Sequence, residues 1–336
     1  MNGIYFPGIG ISFPNVSSGI TIFGFEIKFY AIVITLGFVF ATLISQREAR
    51  LSGQDPEDYL DFVLAMVIPV IIGARLYYII FNHESFFGGG KTAWQTFVGL
   101  INLRNGGLAI YGGLIAGTIT AIIFGKKKKI TMPLMWDTVS MGVLFGQMLG
   151  RWGNFFNREC YGGYYSGTFR MAIPYDYYST QFKAYLSDVG IVTQEMLDNM
   201  EMVKGVQCIT VHPTFIYEIL WNVALLAFIL FWWKKKRFDG EITMFYFFGY
   251  GVGRFIIEGI RADTLMFGPF KISQLVSVVF IIVTVTILLK NYISISKGKE
   301  PVLHRLGDEK NEKVENDEKE GKHSTKNNNS RKKKKK

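Results

Sequence analysis

Seven apolar runs of about 20 residues each constrain this chain more than any other feature. They cover about 22–45, 59–81, 107–125, 133–156, 213–233, 240–260 and 271–290. A helix of that length crosses the hydrocarbon of a bilayer, and a water-soluble chain of 336 residues would rarely carry so many. Only helices and closed barrels satisfy their own backbone in lipid, and most connections here are short. No internal repeat or heptad pattern is present. The expected fold is an all-α integral membrane protein, a bundle of about seven transmembrane helices. The N-terminus lacks a basic region, and the first run is too long and has no small-residue cleavage site. A cleavable signal peptide is therefore not expected.

The formal net charge of +10 would by itself suggest nucleic acid. The basic residues, however, sit in connections that flank the apolar runs: Arg47 and Arg50, Lys126–Lys129, Lys234–Arg237, and the tail. The positive-inside rule makes those segments cytoplasmic, with the N-terminus outside and the C-terminus inside. No nucleic-acid partner is expected. Residues 1–20 suit an arm on the membrane surface. Residues 157–211 are too long for a simple connection and are expected to form a small extracytoplasmic cap between spans four and five. Residues 1–291 then form the membrane domain. Residues 292–336 hold 14 Lys/Arg against 8 Asp/Glu and end in Lys332–Lys336. Such a segment has too little apolar surface to fold and is expected to be a disordered cytoplasmic tail. The two cysteines, Cys160 and Cys208, share one long loop, which permits a disulfide or two free thiols. No Cys/His cluster has zinc-ligand spacing.

This orientation makes one set of polar residues within the runs informative, because its members fall on the outer side. They are Tyr30, Arg75, Asn105 to Gly107, Tyr111, Arg151, Asn154, His212, Glu218, Tyr250, Arg254, Glu258 and Arg261. Arg151, Asn154 and Arg158 follow at spacings that share one helix face. Tyr250, Arg254, Glu258 and Arg261 form one stripe, in which Glu258 can reach both arginines. Arg254 lies roughly 10 Å below the outer end of its helix, a depth suited to a lipid headgroup. A charge at the bilayer centre costs about 2.5–3.5 kcal/mol, less toward the ends, so a buried arginine implies an anionic partner. Neither Arg151 nor Arg254 has a neighbouring carboxylate sufficient for two buried cations. Arg75 can snorkel at its helix end, and Gly106, Gly107, Gly112 and Gly113 can serve close helix packing.

Gly150-Arg-Trp-Gly-Asn-Phe-Phe-Asn-Arg-Glu-Cys-Tyr-Gly162 resembles the signature of the bacterial prolipoprotein diacylglyceryl transferases. Phe29-Tyr30, Gly73-Ala-Arg75, Gly106-Gly-Leu-Ala-Ile-Tyr-Gly-Gly113, His212-Pro-Thr-Phe-Ile-Tyr-Glu218 and Tyr250-Gly-Val-Gly-Arg-Phe-Ile-Ile-Glu258 match its patterns in order. The resemblance covers nearly all of residues 1–290. It implies a multi-pass enzyme of the bacterial cytoplasmic membrane that moves a diacylglyceryl group from phosphatidylglycerol to the lipobox cysteine of preprolipoproteins. A thioether forms and glycerol phosphate leaves. No metal or nucleotide cofactor is implied, and the nucleophilic thiol comes from the substrate peptide. By the same resemblance Arg151 and Arg254 bind the phosphate, while Asn154, Glu159 and Gly162 shape the pocket. Tyr30 and Tyr250 hydrogen-bond near the reacting centre and His212 helps to build it. Gly106, Gly112, Glu258 and Arg75 are carried over as residues toward phosphatidylglycerol.

One departure concerns Tyr111, where many members carry histidine. A phenol, with an ordinary pKa of about 10, is a poor base. Either its hydroxyl orients the headgroup, or an arginine makes it a base, or the substrate thiol needs little help; orientation is favoured here. Two other classes remain to be weighed. A lipid or anion transporter would need internal repeats and polar residues across the midplane, which are absent from the sequence. A membrane anchor for another protein leaves the buried arginines unexplained.

Overall fold

The computed structural model describes residues 3–87, 90, 92–102, 106–177, 192–262 and 266–303. Their helices are α1 (Phe29–Leu51), α2 (Pro56–Phe81), α3 (His83–Phe87), α4 (Ala93–Ile101), α5 (Ile110–Lys128), α6 (Met132–Asn157), α7 (Gln194–Asp198), α8 (Thr214–Trp233), α9 (Glu241–Ile260) and α10 (Ile272–Ser296). The seven expected apolar runs fall on α1, α2, α5, α6, α8, α9 and α10. Of these, α1, α2, α8 and α10 are long and apolar enough to cross a membrane. The other three carry polar groups that dilute them: the lysines of α5, Asp137 and Arg151 of α6, and Glu241, Arg254 and Glu258 of α9.

The all-α expectation is corrected by three antiparallel sheets among the described residues. One has five strands in the order β2 (Ile11–Phe13), β1 (Ile4–Phe6), β5 (Met171–Pro174), β7 (Val206–Val211) and β6 (Glu201–Val203). Hairpins β3 (Gly19–Ile22) with β4 (Phe25–Lys28) and β8 (Met266–Phe267) with β9 (Phe270–Lys271) are the other two. The N-terminal residues are thus not merely a surface arm. Ile4 and Phe6 alternate with Tyr5, so the two sets face opposite sides of the sheet. Ile4, Phe6, Met171, Ile173, Ile209 and Val211 join one core with Phe155 and Phe215. Tyr5, Ala172 and Cys208 fill a second. The first run also starts later than 22, because residues 19–28 alternate as strands around Phe23-Gly24. At the other end α10 continues to Ser296, past the expected tail boundary at 291, and the Asp239 N–H donates to the Val302 carbonyl at 2.9 Å. Residues 178–191 of the expected cap and 304–336 of the expected tail lie outside the described residues.

The chain divides into two compact units, Met1–Ile44 with Val139–Leu303, and Ser45–Thr138 among the described residues. In the second unit Asp55 caps α2 by accepting from the Glu57 N–H at 2.9 Å, with Pro56 at the first helical position. Helices α2 and α5 pack at very close range. A Cβ on Gly112 would come within 2.2 Å of the Gly73 carbonyl oxygen, so only glycine fits there. In the first unit Glu241, fully buried, ties α8, α9 and α10 together. It accepts from Trp232 Nε1 at 3.1 Å, from the Arg237 N–H at 2.5 Å, and from the Tyr292 hydroxyl.

Candidate functional site

The first unit gathers three arginines around one carboxylate. Glu218, a turn into α8, places Oε2 2.5 Å from Arg151 Nη2 of α6. Its Oε1 is 3.3 Å from Arg254 Nη1 of α9 and 3.9 Å from Arg261 Nη1 just beyond α9. Glu258, one turn along from Arg254, places Oε2 2.7 Å from Arg254 Nη2. Both glutamates are buried, whereas the Arg151 and Arg254 side chains keep 22% and 18% of their surface exposed. This corrects the expectation that no neighbouring carboxylate suffices for the two buried arginines. Glu218 lies seven residues from His212 in a matched motif, but nothing in the linear spacing shows that α6 and α9 both bring an arginine to it. Glu258 was expected to serve Arg254 and Arg261 alike. It pairs with Arg254, and Arg261 turns to Glu218 and donates to Cys160 Sγ at 3.3 Å.

Around the arginines the polar contacts form a chain. Arg151 Nη1 donates to Asn154 Oδ1 at 3.1 Å, and Asn154 Nδ2 donates to Glu159 Oε1 at 2.9 Å. Asn157 Nδ2 donates to the same Glu159 oxygen at 3.2 Å. Arg158 does not join this face. Helix α6 ends at Asn157, Arg158 takes φ +54°, and its Nη2 donates to the Val16 carbonyl at 2.7 Å. Its guanidinium lies 4.2 Å from the Tyr177 ring, on the sheet side. A small cleft opens beside Arg254 and Glu218, lined also by Trp221, Asn222, Tyr250, Gly253 and Ile257. Tyr250 stacks on Tyr246 at 6.0 Å. Tyr30 is part-exposed and lies against Gly153, two residues from Arg151.

Gly162 locks the loop after α6 to both neighbours. Its N–H donates to the His212 carbonyl at 2.9 Å, and it bridges to Arg261 on the other side. A Cβ there would meet His212 Cβ and the Ile260 carbonyl at 2.7 Å, so a side chain would spread the elements that carry Arg261 and His212. The His212 ring stacks on Tyr165 at 4.0 Å, with Nδ1 3.3 Å from the Tyr217 hydroxyl. Burial pushes the His212 imidazole below its ordinary value, which favours the neutral ring at pH 7. Lys271 Nζ donates to the carbonyls of Glu258, Gly259 and Arg261, satisfying the end of α9 where Arg261 leaves it. Cys160 and Cys208 are free thiols rather than a disulfide. Among the described residues no trio of His, Cys, Asp or Glu is grouped as metal ligands would be.

Arg75, Gly106, Tyr111 and Gly112 belong to the second unit. Arg75 is buried and gives its guanidinium to backbone carbonyls: Nε to Leu100 at 2.9 Å, Nη1 to Gly106 at 3.0 Å and Gly107 at 2.8 Å, and Nη2 to Gly99 at 2.6 Å and Asn102 at 3.0 Å. Phe86 and Tyr78 flank its cation. All five donors are thereby used, which corrects both expectations for Arg75. It neither snorkels nor offers a phosphate a free fork. Gly106 is one of its acceptors and Gly112 a helix contact, so each has a structural reason to be glycine. Tyr111 opens α5, is exposed, and has its ring 6.2 Å from that of Tyr77.

Comparison with known proteins adds two findings. Residues 18–290 match the model of a family described as prolipoprotein diacylglyceryl transferase. Curated proteins named phosphatidylglycerol–prolipoprotein diacylglyceryl transferase are similar over most of their length. The one from Clostridioides difficile (strain 630) is 35% identical over 262 residues, 78% of this chain and 90% of the relative. That of Streptococcus pneumoniae (strain ATCC 700669 / Spain 23F-1) is 37% identical over 258 residues, 76% and 86% of the two chains. That of Bacillus cereus (strain B4264) is 33% identical over 265 residues, 79% and 88%.

Proposed function

The chain belongs to the prolipoprotein diacylglyceryl transferase family and is a membrane transferase; from this we propose that it moves the diacylglyceryl group of phosphatidylglycerol onto the lipobox cysteine of preprolipoproteins. The observation that carries the reading is the convergence of Arg151, Arg254 and Arg261 within 4 Å of Glu218, with the Arg151 and Arg254 side chains still part-exposed. Two part-exposed guanidiniums side by side suit one phosphodiester.

In this reading Arg151 and Arg254 hold the phosphate, and the two glutamates keep their guanidiniums aimed while it is absent. The substrate thiol gives its proton to water, and its sulfur attacks the terminal glycerol carbon of the diacylglyceryl group. The C–S bond forms as the C–O bond to phosphate breaks, and the bond electrons leave with glycerol phosphate. Guanidiniums already beside that oxygen stabilise the departing charge without reorganising. Asn154 and Glu159 hold Arg151, Gly162 keeps the Arg261 and His212 segments together, and Tyr250 lines the cleft. Tyr30 supplies an orienting hydroxyl, and no metal or nucleotide cofactor is required. All seven long helices cross the membrane in the proposed topology, with the N-terminus outside and the basic tail in the cytoplasm. The one-sided Lys/Arg distribution supports that topology.

The test is turnover by the full chain in phosphatidylglycerol vesicles with a lipobox peptide, with the thioether product identified by mass. Arg151→Ala and Arg254→Ala are each expected to lower turnover by about 10²–10³-fold while inserting normally. Unchanged turnover in either variant would remove the phosphate role. Headgroup movement without covalent product would favour a transporter.

A further inference from the structure

Hairpin β3–β4 is two-faced. Its register sets Ile20 opposite Ile27 and Ile22 opposite Phe25, and side chains directly opposite share a face. Thr21, Glu26 and Lys28 stand on the other face, with Lys28 Nζ 2.5 Å from Glu26 Oε1. The four apolar residues are 40–69% exposed, and Phe23 at the tip is 97% exposed. Phe23 has φ +50° and Gly24 φ +82°, a two-residue turn that favours Asn-Gly or Gly-Gly. A phenylalanine is strained in the left-handed region, and so exposed a ring gains almost nothing from the rest of the described chain. A lone two-stranded hairpin is marginal in water, so this apolar face needs a surface to lie on.

The occupant follows from what each hairpin joins. Strand β4 ends at Lys28 and α1 begins at Phe29; β9 ends at Lys271 and α10 begins at Ile272. Both helices are long and apolar enough to cross a membrane. Hairpin β8–β9 repeats the design, with Phe267 opposite Phe270 and both exposed. A spanning helix holds its first residue at the lipid boundary, so a hairpin fused there without a linker lies at that boundary as well. Helix α1 exposes the successive apolar residues Phe38, Val39 and Phe40, as a spanning element does. The hairpin has one polar face, and a two-faced element lies in the interface plane.

We infer that both hairpins are seated on the phospholipid surface where α1 and α10 enter it. Ile20, Ile22, Phe25 and Ile27 face the acyl chains, and Phe23 and Phe267 act as aromatic anchors. The seat bears on the site. Phe29, the residue after the first hairpin, packs on Phe156 at 5.1 Å, and Tyr30 lies against Gly153. The depth of the hairpin therefore sets the depth of the α6 end that carries Arg151.

The experiment uses the full chain in vesicles containing phospholipid brominated high on the acyl chains. Phe23→Trp, Phe267→Trp and, as a polar-face control, Thr21→Trp are compared after subtracting the signal of the six native tryptophans. The expected result is loss of the added fluorescence to brominated lipid for Phe23→Trp and Phe267→Trp, and little loss for Thr21→Trp. Quenching of Phe23→Trp by aqueous acrylamide but not by brominated lipid would overturn the inference. So would a blue shift that requires added lipobox peptide, or protection that tracks cross-linking between two copies.

Discussion

Glu218 is the side chain on which the cluster turns, because it touches all three arginines. Removing a buried partner from an ion pair leaves its cations exposed to one another, at about 3–5 kcal/mol. Glu218→Ala should therefore lower the unfolding midpoint in detergent well below that of Glu218→Gln, which keeps an acceptor; equal midpoints would deny Glu218 this role. The two thiols should also behave differently. Burial pushes the Cys208 thiol up to about 11, so iodoacetamide at mild pH should label the part-exposed Cys160 first. Mass mapping of the adduct checks the order, and equal labelling of the folded protein would contradict it. For His212 the folded value lies below the ordinary 6.5, so the unfolded chain binds the proton first as pH falls. Its stability contribution is present above 6.5 and is lost as pH falls through the lowered folded value. Between pH 6.5 and that lowered value, the unfolding midpoint should drop more steeply in the native protein than in His212→Asn.

At the scale of elements, packing rather than ligand contact explains several residues that the family pattern carries. Gly112→Ala puts a methyl group against the Gly73 carbonyl and should destabilise the α2–α5 pair by about 1–3 kcal/mol. An unchanged unfolding midpoint would show that the helices can simply move apart. The sequence made the long helices legible, with most ends within three residues, because apolar length is a local property. It also pointed to Arg151, Asn154, Arg254 and Glu258. The sheet was less legible: Ile4-Tyr5-Phe6 is short, and one of its two partners, Met171–Pro174, lies far along the chain. Hairpin 19–28 did carry a local period-2 signal, but it merged with the apolar run that follows. The role of Arg75 was illegible because its partners are backbone carbonyls, which no side-chain pattern announces.

Over the whole molecule, long apolar helices carry an arginine cluster beside a small cleft. The arginine cluster belongs entirely to the unit built from Met1–Ile44 and Val139–Leu303. Lipid selectivity should thus follow the charge of the headgroup and depend on Arg151 and Arg254 together. The most direct measurement is lipid retention by the purified chain, read by native mass spectrometry from mixed micelles of phosphatidylglycerol and phosphatidylcholine. The native protein should retain phosphatidylglycerol in preference, and the double variant Arg151→Ala/Arg254→Ala should retain the two lipids equally. An undiminished preference for phosphatidylglycerol in the double variant would contradict the claim that these arginines hold the phosphate.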